Sequence, residues 1–278
     1  MNNENNFEKD IINVNAFVEN VSDKIKRNIV RFGFVEDDES LKMGSGFLCK
    51  IKIQCDRKLP ALITCYHLIN HMYIKNNDSL SFSYFQGLIE EKAELNLKND
   101  RLIYQSEKLD VTIIQIKKED NLYIHSFLDI DDFDDIENYV KKKEKIYLLH
   151  YPNGVQEIQY SQGKIVKYKN HYEFLGDYPS KSGSSGCLIL DYDKKVVIGI
   201  HRVYYKYNNN NPRGIIILQN VINHFICEKF EEIKKAFENE NLYYYRDTMD
   251  LIYSISDDKK SKMFNQFFID KYKLKEEC

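Results

Sequence analysis

Three separated segments of the 278-residue chain each place a reactive side chain next to an apolar run. His67 ends one such run, Asp110 precedes a second, and Ser185 lies between Gly183 and Gly186 just before a third. Acyl transfer by a serine needs a base for the hydroxyl proton, a carboxylate that orients the base, and backbone donors for the oxyanion. The sequence therefore predicts a hydrolytic site with His67 as base, Asp110 as its orienting carboxylate and Ser185 as nucleophile.

The glycines around Ser185 suit a tight turn. Because glycine has no Cβ, Gly183 and Gly186 can adopt backbone conformations that are closed to other residues. Such a turn can direct the N–H groups of Gly183 and Ser185 toward one point, which predicts an oxyanion hole made by these two donors. Ser182 and Ser184 are the neighbouring serines that leave the register of the nucleophile open.

Short β-rich runs, several of them alternating apolar and polar residues, follow one another with turn-like segments between them. This spacing is typical of an antiparallel sandwich or barrel and predicts an all-β fold. A lead-in helix is predicted over Ala16–Lys26 and an amphipathic helix over Val221–Phe237. The predicted strands cover 28–35, 46–53, 61–65, 80–85, 93–97, 109–116, 146–150, 155–160, 163–168, 187–190, 196–200 and 214–218.

A charged stretch divides the β-rich region in two, because so many like charges do not share a core. The predicted organisation has five parts: a polar lead and helix over 1–27, a first β unit with His67 and Asp110 over 28–128, a charged linker over 129–145, a second β unit with Ser185 over 146–228, and a helical tail without an assigned role over 229–278.

The ordered set of His, Asp and Ser on predicted strands resembles the chymotrypsin-like (trypsin-like) serine endopeptidases. Ala61–Leu68 resembles the Leu-Thr-Ala-x-His segment of that family, Leu109–Ile116 its Asp-Ile-Ala-Leu-Leu strand, and Gly183–Gly186 its Gly-x-Ser-Gly turn. The resemblance covers about residues 28 to 228. It implies two antiparallel six-stranded β-barrels with the site in the cleft between them, and peptide-bond hydrolysis through an acyl-enzyme without a cofactor.

A fourth segment, Val196–His201, resembles the Val-Ile-Gly-Ile-His strand of glutamyl endopeptidases and of viral chymotrypsin-like cysteine proteases. In those families this histidine lies in the S1 pocket, and a hydroxyl residue five positions before the nucleophile assists it. The resemblance implies that His201 and Ser180 bind the P1 side chain and prefer Glu or Gln there. Pro179 occupies the position of the acidic residue of trypsin-like pockets, so a basic P1 residue is not expected.

Departures from the family pattern keep a second hypothesis open. Cys65 and Tyr66 occupy the usual Ala or Asn positions before the histidine, and Arg202 replaces a glycine at the substrate edge, which predicts a narrower or more positive pocket rim. The chain has no Ile-Val-Gly-Gly amino terminus, so activation by a new amino group is not expected. The second hypothesis is a catalytically inactive protease-like module that binds an extended peptide by strand pairing.

Metal binding and cysteine nucleophilicity can also be considered at these positions. His67 and His71 form His-x-x-x-His, but the zincin pattern requires Glu where Leu68 stands, so no metal site is predicted. Cys187 follows Ser185 by two residues at the start of a predicted strand whose alternation turns it away from the cleft. A cysteine nucleophile is therefore not predicted.

The composition limits the partners. With 40 Lys and Arg against 43 Asp and Glu, the net charge is −3, and no global positive field favours nucleic acid. The chain has no apolar run of membrane-spanning length, and its amino terminus is polar. These two features predict a cytoplasmic protein without a membrane partner.

The six cysteines are too sparse for a disulfide scaffold and are predicted to be reduced. The predicted partner is a protein or peptide substrate, and the sequence does not indicate an oligomeric state.

Overall fold

The computed structural model describes residues 23–35, 41–54, 57–86, 89–98, 100–122, 127–130, 145–194, 196–204 and 213–238. The strands are β1 (Ile29–Val35), β2 (Leu41–Gln54), β3 (Arg57–Thr64), β4 (Ser79–Gln86), β5 (Ile89–Asn96), β6 (Ile103–Ser106), β7 (Val111–Gln115), β8 (Leu128–Ile130), β9 (Lys145–His150), β10 (Gln159–Asn170), β11 (Glu173–Asp177), β12 (Leu188–Asp191), β13 (Val197–Tyr204) and β14 (Arg213–Ile217). The α-helices are α1 (Asp23–Lys26), α2 (His71–Asn76), α3 (Leu218–Glu228) and α4 (Phe230–Glu238).

The first sheet carries two of the predicted site residues at the ends of its strands. Its order is β5-β4-β1-β2-β3-β7-β6, and β8 adds to it by parallel pairing with β2. The central strands β3 and β7 pair antiparallel, with Thr64 opposite Thr112. His67 follows the end of β3 and Asp110 precedes β7, so this pairing brings the two residues to the same edge of the sheet.

The second sheet closes into a barrel of six antiparallel strands in the order β10-β11-β14-β13-β12-β9. All residues of β12 and β14 are buried, as expected for strands whose sequences are almost entirely apolar. The segment 183–186 enters this barrel immediately before β12. The all-β prediction is thus confirmed, and the second β unit is the predicted closed six-stranded barrel. The first differs from the predicted six-stranded barrel, because in the described part of the chain it is a sheet of eight strands that includes the parallel strand β8.

One continuous cluster of buried apolar side chains joins the two sheets. It contains Phe47 and Ile63 from the first sheet and Leu149 and Ile200 from the second, each fully buried. Burying a side chain of this size stabilises the fold by about 1.5–3 kcal/mol. The shared core therefore fixes how the two sheets face each other. A smaller cluster fills the second barrel, with Ile146, Leu148, Ile165, Phe174, Tyr178, Cys187, Ile189, Ile198, Ile215 and Ile217.

Several elements differ from the sequence-based expectation. The runs 155–160 and 163–168 belong to one strand, β10, which begins only at Gln159. β6 and β11 fall outside every predicted run, because Ile103-Tyr-Gln-Ser106 and Glu173-Phe-Leu-Gly-Asp177 are short and carry polar residues. Their strand conformation comes from pairing with β7, β10 and β14, which a local pattern does not reveal.

The predicted helix over Val221–Phe237 is two helices that meet at Lys229. The Lys229 N–H donates to Phe225 O, and Lys229 O accepts from the Ile233 N–H. The helical backbone is interrupted at Lys229, which has a φ of −102° and a ψ of 19°. Phe225 and Ile233, on either side of this break, are 0% and 1% exposed and belong to the same core. The apolar period continues through the break, and for that reason the sequence alone predicts a single helix.

Other predictions lie outside the described residues. These are the lead-in helix before Asp23, most of the charged linker, and the tail after Glu238. The predicted domain boundaries stay predictions. In the described ranges, no helix combines the length and the apolar character that crossing a membrane requires.

A buried ion pair in the first sheet supports a stability prediction. Arg101 Nη2 and Nη1 lie 2.7 and 2.8 Å from the two carboxylate oxygens of Asp120, and both side chains are almost fully buried. Asp120→Ala leaves the guanidinium buried without its countercharge, so the free energy of unfolding should fall by about 3–5 kcal/mol. Urea denaturation measures this change.

The exposed pair of Lys98 and Asp78 provides the control. Asp78→Ala should change the free energy of unfolding by less than about 1 kcal/mol, because solvent screens exposed pairs. Equal losses in the two variants would show that burial does not govern the contribution of the Arg101 pair.

Candidate active site

His67 and Asp110 are joined through both the ring and the backbone. His67 Nδ1 lies 3.0 Å from each Asp110 oxygen, and the His67 backbone N–H donates to Asp110 Oδ1 at 2.9 Å. An ionised carboxylate only accepts hydrogen bonds, so this contact places the imidazole proton on Nδ1. The lone pair of Nε2 is then available to accept a proton.

Asp110 has a constrained backbone. Its φ of 56° lies in the left-handed region, which non-glycine residues adopt only in a few per cent of cases. The Asp110 N–H donates to Glu107 O in the turn before β7, and the residue is 4% exposed. Such conformations persist where surrounding contacts determine them, and they cluster at functional sites.

The segment 183–186 has the conformation that the glycines predict. Gly183 and Gly186 both have a φ of 84°. A side chain at Gly186 would overlap the carbonyl oxygen of Ser45, so only glycine fits against β2. The Ser45 N–H also donates to Ser185 O at 2.8 Å. These contacts hold the loop of the second barrel against the first sheet.

One carbonyl group connects the surroundings of His67 with those of Ser185. His201 O accepts from the Gly186 N–H at 3.0 Å and from the Cys65 thiol at 3.4 Å. Cys65 precedes His67 by two residues, and Gly186 follows Ser185 directly. The structure therefore brings the imidazole segment and the serine segment together across the two sheets.

The backbone donors of the loop divide into used and unused groups. The N–H groups of Ser184, Gly186 and Cys187 all have carbonyl acceptors. Among the residues that the structure describes, the N–H groups of Gly183 and Ser185 have none. Two unused donors two residues apart are what a developing oxyanion requires.

The three loop serines have different surroundings. Ser184 is fully buried, and its hydroxyl lies 2.6 Å from His150 Nδ1 and accepts from the Lys181 N–H. Ser182 is exposed. The half-buried hydroxyl of Ser185 has no hydrogen bond in the described part of the chain, so its oxygen is free to react. This difference favours Ser185 over its neighbours as the nucleophile.

His201 occupies a buried polar site in the second barrel. Its Nδ1 lies 2.8 Å from the Tyr178 hydroxyl, and the residue is 4% exposed. Burial, with smaller contributions from His150, Arg213 and His67, lowers the pKa of His201 to about 3. Burial also holds the pKa of Tyr178 well above its usual range, although Arg213 opposes this shift. Both side chains are therefore neutral near pH 7.

Ser180 lies in the segment that follows Tyr178. Its hydroxyl accepts from Arg213 Nε at 2.7 Å, and Arg213 is 8% exposed. Tyr178, Arg213 and His150 are the residues of this region that sequence reasoning missed. Tyr178 is two positions before Ser180 and close enough for a local pattern to reveal it, whereas Arg213 comes from another strand and gives no local signal.

Arg202 lies beside the carboxylate of Asp110. Its Nε lies 3.3 Å from Asp110 Oδ2, and its side chain is 24% exposed. His201, the preceding residue, instead contacts Tyr178 in the second barrel. The narrower or more positive pocket rim that the sequence predicts at Arg202 stays a prediction.

The histidine, the carboxylate and a thiol together resemble a set of metal ligands. Ligand atoms of Cys65, His67 and Asp110 lie within 4.8 Å of one another. Metal binding requires a thiolate, but burial, with the Asp110 charge next, raises the pKa of Cys65 well above its usual range. Asp110 also already bonds to His67 Nδ1. The donor set therefore fits hydrogen bonding better than metal ligation. Of the cysteines that the structure describes, Cys65 and Cys187 are buried free thiols.

Comparisons with known proteins agree with this geometry. A family model described as the trypsin-like peptidase domain matches residues 44–200, which is more than half of the chain. The chain therefore belongs to the trypsin-like peptidase domain family. This confirms the chymotrypsin-like resemblance, whereas the finer likeness to glutamyl endopeptidases stays a prediction. No curated protein sequence matches the chain.

Solved structures of proteases share the fold. The serine endoprotease from Yersinia pestis is 14% identical, with a TM-score of 0.50 over 74% of this chain and 63% of that chain. Deg5 is 16% identical, with a TM-score of 0.53 over 74% of this chain and 90% of that chain. The Rv3671c protease from M. tuberculosis, in its active form, is 13% identical, with a TM-score of 0.50 over 74% of this chain and 83% of that chain. The match thus spans less than two thirds of the Yersinia pestis protein, and at these identities the likeness shows the fold alone.

The buried histidines predict how stability depends on pH. Burial lowers the pKa of His150 to about 4 and that of His201 to about 3. In the unfolded chain each ring binds a proton below about pH 6.5. Between pH 4.5 and 5.5 the unfolded state therefore holds more protons, and stability rises with pH by about 1.4 kcal/mol per pH unit for each histidine.

His201→Gln should reduce this slope by about 1.4 kcal/mol per pH unit, since it removes one titrating ring. Urea denaturation at several pH values gives the slope. Tyr178→Phe is the matched control, because it keeps the buried histidine and should keep the slope. A wild-type slope in His201→Gln would contradict the neutral state of His201.

Proposed function

We propose that the protein is a serine endopeptidase. The observation that carries this proposal is the bond between His67 Nδ1 and the buried Asp110 carboxylate, next to a loop with two unused N–H donors. Ser185 is the nucleophile, and the N–H groups of Gly183 and Ser185 form the oxyanion hole. We also propose that the first β unit supplies the histidine and the aspartate and the second supplies the serine.

The reaction follows from the roles of these groups. Ser185 Oγ attacks the scissile carbonyl carbon while His67 Nε2 takes the hydroxyl proton. The carbonyl oxygen becomes negative and accepts hydrogen bonds from Gly183 and Ser185. The carbon–nitrogen bond then breaks as His67 protonates the leaving amine, and an acyl-enzyme remains. His67 next deprotonates a water molecule, which attacks the ester carbon. The bond from that carbon to Ser185 Oγ breaks as His67 returns the proton to Oγ, which releases the second product and restores the enzyme.

The surroundings of His201 support a P1 residue with a side-chain oxygen. When the Tyr178 hydroxyl donates to His201 Nδ1, the ring proton lies on Nε2 and can donate to a carboxylate or a carboxamide. Ser180 accepts from Arg213, which leaves its hydroxyl proton for a second bond to the same group. The charge of Arg213 favours Glu over Gln, since His201 itself is neutral at pH 7.

A catalytically inactive peptide-binding module is the second candidate function. Its motivating observation is that Ser185 and His67 share no hydrogen bond in the described part of the chain. Catalytic hydrogen bonds are often long before substrate binds, so this observation does not outweigh the proposed activity. An inactive module would bind extended peptides but would not react with a serine-directed probe.

The nucleophile is tested with a fluorophosphonate, which labels only an activated hydroxyl. The wild-type protein should be labelled at Ser185, as identified by peptide mass spectrometry, and should cleave peptides. Ser185→Ala should lose the label and about 10⁴-fold or more of kcat, because only oxyanion stabilisation and substrate binding remain without the nucleophile. Ser182→Ala, an exposed serine of the same loop, should behave like the wild type. Full cleavage by Ser185→Ala would exclude the proposed mechanism, and an unlabelled wild type would favour the binding module.

The P1 preference is tested with a peptide library and with matched substrates that carry Glu, Gln or Lys at P1. We expect kcat/KM to follow the order Glu, Gln, Lys. Arg213→Met should lower kcat/KM for the Glu substrate by about 30-fold, because removing one member of a buried charge pair costs about 2 kcal/mol or more. The Gln substrate should lose less. A preference of the wild type for Lys or Arg would contradict the assigned role of His201.

A further inference from the structure

The Arg202 side chain lies between two buried acids that belong to different sheets. Its Nε is 3.3 Å from Asp110 Oδ2, the same oxygen that lies 3.0 Å from His67 Nδ1. Its Nη1 is 3.9 Å from Glu173 Oε2 on β11. Asp110 precedes β7 of the first sheet, whereas Arg202 and Glu173 belong to the second barrel. One cation therefore links the carboxylate of the proposed active site to the opposite barrel.

The contact between Arg202 and Asp110 is electrostatic rather than directional. Arg202 Nε is buried and has no hydrogen-bond partner among the described residues, although it lies close to the carboxylate. The hydrogen bonds to Asp110 come instead from the ring and the backbone of His67. Coulomb attraction depends on distance and dielectric and little on orientation. The positive charge at this position therefore matters more than the planar shape of the guanidinium.

Removing that charge would affect Asp110 more than Glu173. The Asp110 and Glu173 side chains are only 6% and 4% exposed. Glu173 would still have Lys169 Nζ at 2.8 Å. Among the described residues, Asp110 would keep only hydrogen bonds from the ring and the backbone of His67, and an unpaired buried charge is unfavourable. The left-handed backbone of Asp110 adds to its dependence on surrounding contacts.

We propose that Arg202 is a positioning residue, which holds the Asp110 carboxylate against His67 and favours the neutral form of the imidazole. The kinetic consequences of this inference rest on the proposed function. Arg202 does not touch the substrate in this mechanism. It acts on the general base through the carboxylate that orients that base.

The pH dependence of the reaction can report on this role because two titratable neighbours of His67 do not change charge in the relevant range. Burial keeps Cys65 as a thiol and His201 as a neutral ring between pH 5 and 8. A cation beside the carboxylate disfavours a second positive charge on the imidazole. The titratable and charged groups that face this cluster from the packed elements are Cys65, Asp110, Glu173, His201 and Arg202.

The test compares Arg202→Gln with Arg202→Lys. Arg202→Gln should lower kcat by about 10- to 100-fold with little change in KM, since a misplaced catalytic group slows chemistry without weakening binding. The midpoint of the acid limb of its kcat/KM profile should rise by about 1 pH unit, because a nearby cation is gone. Arg202→Lys keeps the charge and should retain kcat within a few-fold and the wild-type midpoint.

Two further variants serve as controls. Arg31→Gln removes another partly buried arginine, whose partner is Glu90 rather than Asp110, and should not move the acid limb. Glu173→Gln removes the other acid beside Arg202 and should leave kcat within a few-fold. If Arg202→Gln does not fold, Arg202→Lys decides the question, and a midpoint about 1 pH unit above the wild type in that variant would contradict the role of the charge.

A second readout separates this inference from the proposed function. In the Ser185→Ala background, the titration of the His67 ring can be followed by NMR without any catalytic activity. Adding Arg202→Gln should raise its midpoint by about 1 pH unit. An unlabelled and inactive wild type that still shows this NMR shift would reject the peptidase proposal and keep the Arg202 assignment. An unchanged midpoint together with an unchanged kcat in folded Arg202→Gln would overturn the assignment.

Discussion

The buried charge of Asp110 is the constraint on which this arrangement depends. A carboxylate that is 4% exposed must be surrounded by donors or by opposite charge. His67 supplies two donors from the end of β3, and Arg202 supplies a positive charge from β13. The partners belong to different sheets, so the charge is satisfied only when both sheets are folded and packed. Stability and the geometry of the proposed active site are therefore linked at this residue.

Burial gives three histidines different properties. His67 is partly exposed and bonds to a carboxylate, which suits a group that accepts and releases protons. His201 and His150 are buried, and burial lowers their pKa values to about 3 and about 4. A neutral ring is a stable hydrogen-bonding group, and in His150 it fixes the Ser184 hydroxyl. The same residue type thus contributes a base, a pocket group and a structural support.

The local amino-acid sequence predicts those structural features for which the function needs a particular backbone conformation or residue type. The glycines around Ser185 were visible because a left-handed φ at residues 183 and 186 restricts the side chain there. The apolar runs that hold His67 and Asp110 were visible because central strands are buried on both faces. The strands β6 and β11 cannot be recognised from the local sequence, since their strand conformation depends on neighbouring strands that are distant in sequence. The break between the two helices at Lys229 also has no local signal, because the apolar period continues through it.

The β-rich organisation, the family resemblance and the candidates His67, Asp110 and Ser185 can all be predicted from residue type and nearest neighbours along the chain. The groups that surround these candidates are known only from the folded structure. Arg202 reaches Asp110 across 92 positions of the chain, and Arg213 reaches Ser180 across 33. Contacts of this kind arise where two sheets or two strands meet. Charge and hydrogen bonding act through space, so no spacing along the chain encodes them.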